Sequence, residues 1–288
     1  MDLSIMTVSL PLDVDTLEEM ISLVQAASKE DFINYDATLS IDELTDYAIT
    51  GFCILAYDDE EDKLVGAISA LDRMSTLDFE WSTLVLPSYR QIGIGSKLLK
   101  EFFRNLELRG AVGDLALMDE KASIGKRILR ANGYSLEFAE LTMAADAIEW
   151  KEQDIEVTPY KDETSELISI LSEGFGDTED EVTQLISLNT QAANRQMMIV
   201  KVSSKVVGTV TLVSSDNKLW VTGLAVQKES RGKGIATSIL KWTKHKAYQL
   251  GKKTVYLDVE MDNEVALSIY QGAGFKQLEH ILYYRRVN

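Results

Sequence analysis

The sequence is short of cysteine and histidine, and each shortage excludes a class of protein. Cys53 is the only cysteine among 288 residues, which rules out an internal disulfide. Its neighbours are apolar, which favours a small buried side chain over a nucleophile. The two histidines, His245 and His280, offer no pair of metal ligands. We therefore expect neither a disulfide-stabilised domain nor a metal centre.

Long apolar runs and an excess of basic residues are also missing. No apolar stretch approaches the roughly 18 residues that a membrane helix needs, and the first residues lack the basic start of a signal peptide. Residues 1–150 contain 12 basic and 28 acidic side chains, whereas residues 151–288 contain 17 and 18. Nucleic acid needs a basic face, so it is a poor partner. We expect a soluble cytoplasmic protein whose acidic excess either aids solubility or attracts a cationic amine.

What the sequence does contain is a loop with two glycines, between a predicted strand at 219–226 and a predicted helix at 235–250. The loop and the start of the helix read Arg231, Gly232, Lys233, Gly234, Ile235, Ala236, Thr237. Glycine permits a tight turn, and the free N–H groups and positive dipole end of the helix attract an anion. The spacing fits neither a P-loop nor a dinucleotide fingerprint. The pattern therefore predicts a phosphate cradle of another kind.

The loop belongs to a unit that occurs twice in the chain. Arg90, Gly93 and Gly133 precede Arg231, Gly234 and Gly274 by 141 residues each, and residues 65–66 precede the same Val-Gly pair at 207–208 by 142. A nearly constant offset over four positions indicates an internal repeat. We predict two domains, 1–150 and 151–288, with the boundary in the polar stretch at 149–153.

These motifs resemble those of the GNAT (Gcn5-related) N-acetyltransferases. The family's loop pattern, Arg/Gln-x-x-Gly-x-Gly/Ala, is matched by Arg231, Gly234 and Ala236, and its later segment is matched by Asn263, Ala266, Tyr270, Gly274 and Phe275. The match covers residues 154–288, and the repeat extends it to the first half. The resemblance implies an α/β (α+β) protein of two tandem GNAT-like domains, each with a mixed, mostly antiparallel twisted sheet flanked by helices.

The resemblance also implies a site for acetyl-CoA in the second domain and transfer of its acetyl group to a primary amine. Residues 231–237 would bind the pyrophosphate, and Asn263 would contact the cofactor arm. The strand end Leu224, Ala225 and Val226 would pair with the pantetheine amides, and one of its N–H groups would polarise the thioester carbonyl.

Two residues are the candidates for proton transfer. Tyr270 matches the family's general acid, which protonates the CoA sulfur; the alternative is a core aromatic on an apolar helix face. Asp258 would be the general base, directly or through a water, but a substrate anchor or an exposed acid at a strand end fits it equally. Glu260 is a weaker candidate for the base.

The first domain keeps the loop and departs from the rest of the pattern. Arg90, Gly93 and Gly95 repeat the phosphate motif, but Ala122 stands at the position of Asn263 and Leu129 at that of Tyr270. We expect this domain to be inactive, and to bind CoA unproductively or not at all. Glu80, near the end of its central strand, keeps an active first domain open.

Other interpretations also stay open. The alternative to an enzyme is a non-catalytic acyl-CoA-binding or sensing protein, or a scaffold. Within enzymes, the tandem architecture resembles that of mycothiol synthase, which would predict a sugar amine as the acceptor. We expect a small-molecule or peptide amine, cationic if the acidic bias is functional. We also expect a monomer in which the two domains form a pseudo-dimer, with a homodimer as the alternative.

Overall fold

The structure, a computed structural model, describes residues 2–150, 154–215 and 217–286. The chain divides into two compact units, each containing one copy of the repeat. The first unit runs to Ala139 and includes the chain again from Glu279, and the second is Glu140–Leu278. These bounds differ from the predicted domains 1–150 and 151–288, because two strands each begin in one unit and end in the other. The predicted boundary at 149–153 falls partly on residues 151–153, which lie outside the described residues.

The first unit contains a mixed sheet with helices. Its elements are β1 (Leu3–Ser9), α1 (Val14–Asp31), α2 (Asp36–Leu39), β2 (Thr50–Asp58), β3 (Lys63–Asp72), β4 (Asp78–Val85), α3 (Ile94–Arg109), β5 (Gly113–Asp119), α4 (Ser123–Ala131) and the start of β6 (Tyr134–Asp146). The sheet order within this unit is β1-β2-β3-β4-β5, followed by the last strand of the chain. Strands β4 and β5 are parallel, whereas the other neighbours are antiparallel.

The second unit repeats this plan. After β6 come β7 (Glu156–Pro159), α5 (Thr164–Phe175), α6 (Glu179–Gln191), β8 (Arg195–Val202), β9 (Lys205–Ser214), β10 (Leu219–Val226), α7 (Ile235–Gln249), β11 (Thr254–Glu260), α8 (Glu264–Gly272) and β12 (Lys276–Arg286). The order is β7-β8-β9-β10-β11-β6, with only the β10–β11 neighbours parallel. The prediction of a mixed, mostly antiparallel sheet flanked by helices is therefore confirmed.

In each unit, the last strand of the sheet is a segment that follows the other unit's copy of the repeat in the sequence. Strand β12 follows the second copy, yet its residues Ile281–Arg285 pair with β5 in the first unit. Strand β6 follows the first copy, yet its end pairs with β11 in the second unit. The sequence analysis did not predict this exchange.

Residues 41–49 do not form the helix that their apolar spacing predicts, with Ser40 as its cap. The chain forms only the short α2 before this segment and a single 3-10 turn, Ile41–Glu43, within it. Ser40 adopts a left-handed conformation (φ 54°) between them. Leu39 and Leu44 are fully buried in the core. Tertiary packing, rather than helical periodicity, explains the apolar residues in this segment.

Other helix ends follow the expected capping chemistry. Asp13 caps α1, where its carboxylate accepts from the Thr16 N–H at 2.9 Å. Thr178 and Glu181 form a capping box at the start of α6. In the second unit, α7 and α8 cover one face of the sheet, whereas α5 and α6 pack on the strands from the other. Both faces of the strand that leads to the loop are therefore supported.

Candidate functional site

The central strands of the second unit separate after two residue pairs. Strands β10 and β11 are in register only at Leu219–Val255 and Trp220–Tyr256. On its other edge, β10 pairs with β9 through a bulge between Thr222 and Ala225. The bulge contains Gly223 in the left-handed conformation (φ 57°). The end of β10 thus leaves the edge that faces β11 open to an extended ligand.

The predicted phosphate loop follows this strand end directly. Gly232 and Gly234 have positive φ angles of 74° and 79°, and a Cβ atom built on either would have no neighbour within 4 Å. The Arg231 Nε atom donates to the Val226 carbonyl at 2.9 Å, which ties the loop to the strand.

The helix that follows the loop begins without a side-chain cap. Helix α7 starts at Ile235, and its first backbone bond runs from the Ser238 N–H to the Gly234 carbonyl. The N–H groups of residues 232–237 have no acceptor among the described residues. The loop is therefore an open cradle of backbone donors, which fits a pyrophosphate.

The side chains at the end of β10, just before the cradle, pack on both faces of the sheet. Leu224 and Val226 pack on the α7 side of the sheet, and Ala225 packs on the α5 side. Ile235 is buried, whereas Ala236 and Thr237 are half-buried and Gly232, Lys233 and Gly234 are exposed. The Lys233 ammonium donates to the Glu229 backbone carbonyl at 2.7 Å.

Asn263 and Tyr270 lie at the two ends of α8. The Asn263 side-chain carbonyl caps the helix by accepting from the Ala266 N–H at 3.1 Å, and its amide group donates to none of the described residues. Tyr270 is half-buried and packs with Phe275, but its hydroxyl makes no hydrogen bond within the described part of the chain. Burial raises the pKa of this hydroxyl. A protonated phenol with a free hydroxyl suits a general acid.

Asp258 lies on β11, on the face away from α7 and α8. Water reaches its side chain, and the Thr142 hydroxyl on β6 donates to its carboxylate at 2.7 Å. Burial by the surrounding protein raises the pKa of Asp258, whereas the Thr142 hydrogen bond lowers it. Glu260 is exposed two residues further along the strand. Sequence analysis missed Thr142, because only the pairing of β6 with β11 brings it opposite Asp258.

The first unit contains the same loop without the candidate acid and base of the second unit. Gln91 and Gly93 have positive φ angles of 64° and 93°, and the Arg90 Nε atom donates to the Val85 carbonyl at 2.9 Å, as Arg231 does in the second unit. Leu129 is buried at the position of Tyr270. Leu117 stands at the position of Asp258.

Glu80, the acid that the sequence analysis singled out in the first unit, lies in an ion-pair cluster. Its carboxylate pairs with Arg73, which also binds both carboxylate oxygens of Glu43 at 2.8 Å. Burial raises the pKa of Glu80, and the Arg73 charge opposes this shift. The Glu80 carboxylate is therefore paired within the protein, whereas that of Asp258 contacts a hydroxyl group.

The bulge between β9 and β10 corresponds to a one-residue difference in the spacing of the two repeats. Gly66 pairs with Val85 and Ala70 with Trp81 in an unbroken β3–β4 ladder. In the second unit, Thr222 pairs with Thr211 and Val226 pairs with Gly208. Four residue steps along β10 are therefore opposite only three along β9. The missing residue in β9 explains why one offset between the repeats is 142 and the others are 141.

Neither a membrane helix nor a metal cluster occurs in the part of the chain that the structure describes. No helix there is long and apolar enough to span a bilayer. No three His, Cys, Asp or Glu side chains within the same residues are grouped to hold a metal ion. The His245 Nδ1 atom accepts from the Trp150 N–H at 3.1 Å.

Comparison with known proteins finds one family in both halves of the chain. The sequence model of the acetyltransferase (GNAT) family matches residues 17–125 and again 162–275. A 79-residue segment, 27% of the chain, is 33% identical to GCN5-related N-acetyltransferase 6, chloroplastic, of Arabidopsis thaliana. A 65-residue segment, 23% of the chain, is 34% identical to N-alpha-acetyltransferase 30 of Schizosaccharomyces pombe. The aligned segments span only 27% and 43% of these two relatives.

Solved structures share the whole fold at low sequence identity. A GCN5-related N-acetyltransferase from Sphaerobacter thermophilus is 18% identical, with a TM-score of 0.74 over 97% of this chain and 95% of the other. A tandem GNAT protein from the clavulanic acid biosynthesis pathway is 13% identical, with a TM-score of 0.69 over 99% and 98%. The likeness extends over both units.

Proposed function

Because the chain belongs to the acetyltransferase (GNAT) family, we propose that its second unit transfers an acetyl group from acetyl-CoA to a primary amine by direct attack in a ternary complex. The observation that carries the proposal is the environment of the Tyr270 side chain. The Tyr270 side chain is half-buried, and its hydroxyl has no hydrogen-bond partner among the described residues. The first unit has Leu129 at this position.

The residues of the second unit fit a CoA thioester. The backbone of residues 231–237 would hold the pyrophosphate, because glycine leaves the cradle clear of side chains and the start of α7 supplies free N–H groups. The open edge of β10, at Leu224, Ala225 and Val226, would hold the pantetheine arm, and the free amide of Asn263 is available to it. When bound, acetyl-CoA supplies the acetyl group as an activated thioester.

Three groups of the protein would then act on the reaction. An N–H group at the bulged end of β10 would stabilise negative charge that develops on the carbonyl oxygen. Asp258 would take a proton from the amine, directly or through a water, and its raised pKa makes it a stronger base than an ordinary aspartate. The Tyr270 hydroxyl would give a proton to the departing sulfur.

For the acceptor we propose a small-molecule or peptide amine, with a positive charge. The support is the presence of Asp258 and Glu260 on one accessible face of β11. A relative named as an N-alpha-acetyltransferase makes a peptide N-terminus one class to test. A cytoplasmic location and a monomeric state stay predictions.

The decisive experiment is a thiol-release assay with acetyl-CoA and a panel of polyamines, aminoglycosides and peptides with free N-termini. Replacing a general acid costs about 10²-fold or more in rate, so we expect Tyr270→Phe to lower kcat by at least that factor while calorimetry shows unchanged binding of acetyl-CoA. Tyr256→Phe, on β11 beside Trp220, is the matched control and should retain the rate. An unchanged kcat in Tyr270→Phe would contradict the acid role.

A further inference from the structure

The outer edge of β1 has no neighbouring strand in the part of the chain that the structure describes. Strand β1 (Leu3–Ser9) is the first strand of the sheet in the first unit and pairs only with β2, through an unbroken register of seven residue pairs. It contains no proline and no charged side chain. Proline, charge and bulges are the means by which edge strands avoid pairing with another chain. Strand β1 therefore lacks this protection.

The outer strand of the second unit is protected. Strand β7 has only four residues, begins with Glu156 and ends with Pro159. A short strand, a charged side chain and a residue without an N–H group each discourage the addition of a further strand. The two units therefore differ at their outer edges, and only the edge of β1 suits a partner strand.

Alternate residues of β1 direct their backbone groups to this open edge. The Leu10 N–H donates to the Gly51 carbonyl at 3.1 Å, and the Asp59 N–H donates to the Asp2 carbonyl at 3.0 Å. In an antiparallel pair, one residue directs both its N–H and its C=O to the neighbouring strand, and the next directs both away. Even-numbered residues therefore face β2. The residues that face the open edge are Leu3, Ile5, Thr7 and Ser9.

The open edge offers backbone groups and apolar surface to a ligand. The Leu3 N–H donates to the Asp2 side chain at 3.1 Å, whereas the N–H groups of Ile5, Thr7 and Ser9 have no acceptor among the described residues. No residue of β1 is fully buried, and Met6 is 48% exposed. An added strand gains affinity from main-chain hydrogen bonds and covers side chains of this kind.

Acidic side chains flank both ends of β1. Residues 58–62 are all acidic and form the turn beside its start, followed by Lys63. The Ser4 hydroxyl donates to the Asp59 carboxylate in this turn at 2.7 Å. Asp13 and Asp15 follow the end of the strand, at the start of α1. Two copies of β1 would bring acids against acids in either orientation, whereas a basic segment would be attracted.

We propose that the open edge of β1 binds an extended, basic segment of another protein as an additional strand of the first unit's sheet. The backbone groups of Ile5, Thr7 and Ser9 hold the backbone of the segment, and the acidic side chains at the two ends of β1 select basic residues. This surface is independent of the acetyl transfer proposed for the second unit.

The probe is a fluorescent peptide of alternating lysine and valine, matched to the seven residues of β1. One control is the same peptide with N-methyl groups at every residue, which keeps the lysine charges and removes the backbone donors. A second control has glutamate in place of lysine. Fluorescence anisotropy at several salt concentrations measures the affinity of the intact protein for each peptide. We expect saturable binding of the lysine peptide alone, with a Kd that rises with salt.

Ile5→Pro and Ile5→Ala form a matched pair of variants. Both remove most of the Ile5 side chain, but only proline removes the N–H group that faces the open edge. Because this N–H makes no bond to β2, proline is compatible with the β1–β2 ladder. We expect Ile5→Pro to bind the lysine peptide about tenfold more weakly than Ile5→Ala does, since a backbone hydrogen bond is lost.

The charge preference is tested by neutralising exposed acids of the turn. The triple variant Asp59→Asn/Glu61→Gln/Asp62→Asn keeps the size of each side chain, and its asparagine at 59 retains an acceptor for the Ser4 hydroxyl. We expect it to bind the lysine peptide on the order of fivefold more weakly at low salt, with a smaller dependence on salt.

Amide hydrogen exchange locates the bound peptide on the strand. Bonds to β2 protect the amides of Ser4 and Met6, whereas those of Ile5 and Thr7 are open to solvent. The lysine peptide should slow exchange at Ile5 and Thr7, and the N-methylated peptide should leave it unchanged. Attraction by charge alone would not produce this alternation.

Each contrary result overturns the proposal or a stated part of it. No binding of the lysine peptide at low salt, equal affinity for the N-methylated peptide, or unchanged exchange at Ile5 and Thr7 would rule out the added strand. Equal or tighter binding of the glutamate peptide would overturn the basic preference. A doubled mass in light scattering that Ile5→Pro abolishes and Ile5→Ala retains would assign the edge to a second copy. Circular dichroism on every variant separates these results from misfolding.

Discussion

At the scale of single residues, burial affects the candidate acid and the candidate base of the second unit in the same direction. Burial raises the pKa of both Tyr270 and Asp258. For Tyr270 this keeps the proton on the hydroxyl, as an acid requires. For Asp258 it strengthens the base, while the Thr142 hydroxyl limits the effect by stabilising the carboxylate.

The Thr142 hydrogen bond predicts a shift in the pH dependence of the reaction. Asp258 acts as a base only when deprotonated, so kcat/KM should rise as pH increases through its pKa. Thr142→Val removes the contact that lowers this pKa, so the rising limb should move to higher pH, whereas Thr142→Ser should retain the wild-type profile. The measurement is kcat/KM against pH for the three proteins. A limb at the same pH in Thr142→Val would show that Asp258 is not the base that titrates.

At the scale of secondary-structure elements, the two units differ in the strand that leads to the glycine loop. Strand β4 pairs with β3 without interruption, whereas β10 is bulged opposite β9. The bulge needs a residue with positive φ, which Gly223 supplies. A bulge redirects the backbone N–H groups of a strand, so we relate it to the proposed activity of the second unit.

Gly223→Ala should therefore destabilise the second unit. A β-carbon in the left-handed region costs about 1–2 kcal/mol, and the added methyl would otherwise fit, since its nearest neighbour is the Thr211 hydroxyl at 3.5 Å. Gly223→Asn should cost less, because asparagine tolerates this region better. Urea unfolding measures both losses, with Ser82→Ala in the regular strand β4 as the control. Equal stability of Gly223→Ala and wild type would mean that the bulge does not require glycine.

At the scale of the whole molecule, each unit depends on a strand that lies outside its own copy of the repeat. The residues of β12 from Glu279 onwards belong to the first unit, where Ile281 and Leu282 are buried. Arg285 pairs with Asp78 at 2.7 Å, and Arg286 pairs with the buried Asp114 at 3.1 Å. Removing the end of the chain should therefore damage the unit that begins it.

A truncation after Leu278 tests this dependence. We expect the amides of β5, Gly113–Asp119, to lose protection from hydrogen exchange, because β5 loses its antiparallel neighbour. The amides of β9 and β10 in the second unit are the internal control and should stay protected. Retained protection in β5 would show that the first unit is stable without β12. The same reasoning predicts that residues 1–150 alone do not form a stable domain.

The predicted oligomeric state is also tested at this scale. The chain has a mass of 32.2 kDa, and we expect light scattering coupled to gel filtration to return that value across a range of concentrations. A mass of twice this value would instead support the homodimer.

The sequence by itself determined the repeat, the two glycine loops and the family, because these features depend on local chemistry. Glycines that permit positive φ, capping residues and alternating apolar positions act over a few residues, so their effects can be predicted from the chain. The strand β10 and the start of α7 were predicted at the residues where they occur.

Only the tertiary structure decided which strands pair, and with them the site's surroundings. The exchange of β6 and β12 and the Thr142–Asp258 contact both join segments that are distant in sequence. Packing also overrode local periodicity at 41–49, where burial of Leu39 and Leu44 replaces a helix. Contacts of this kind depend on the free energy of the assembled core, which no short stretch of sequence contains.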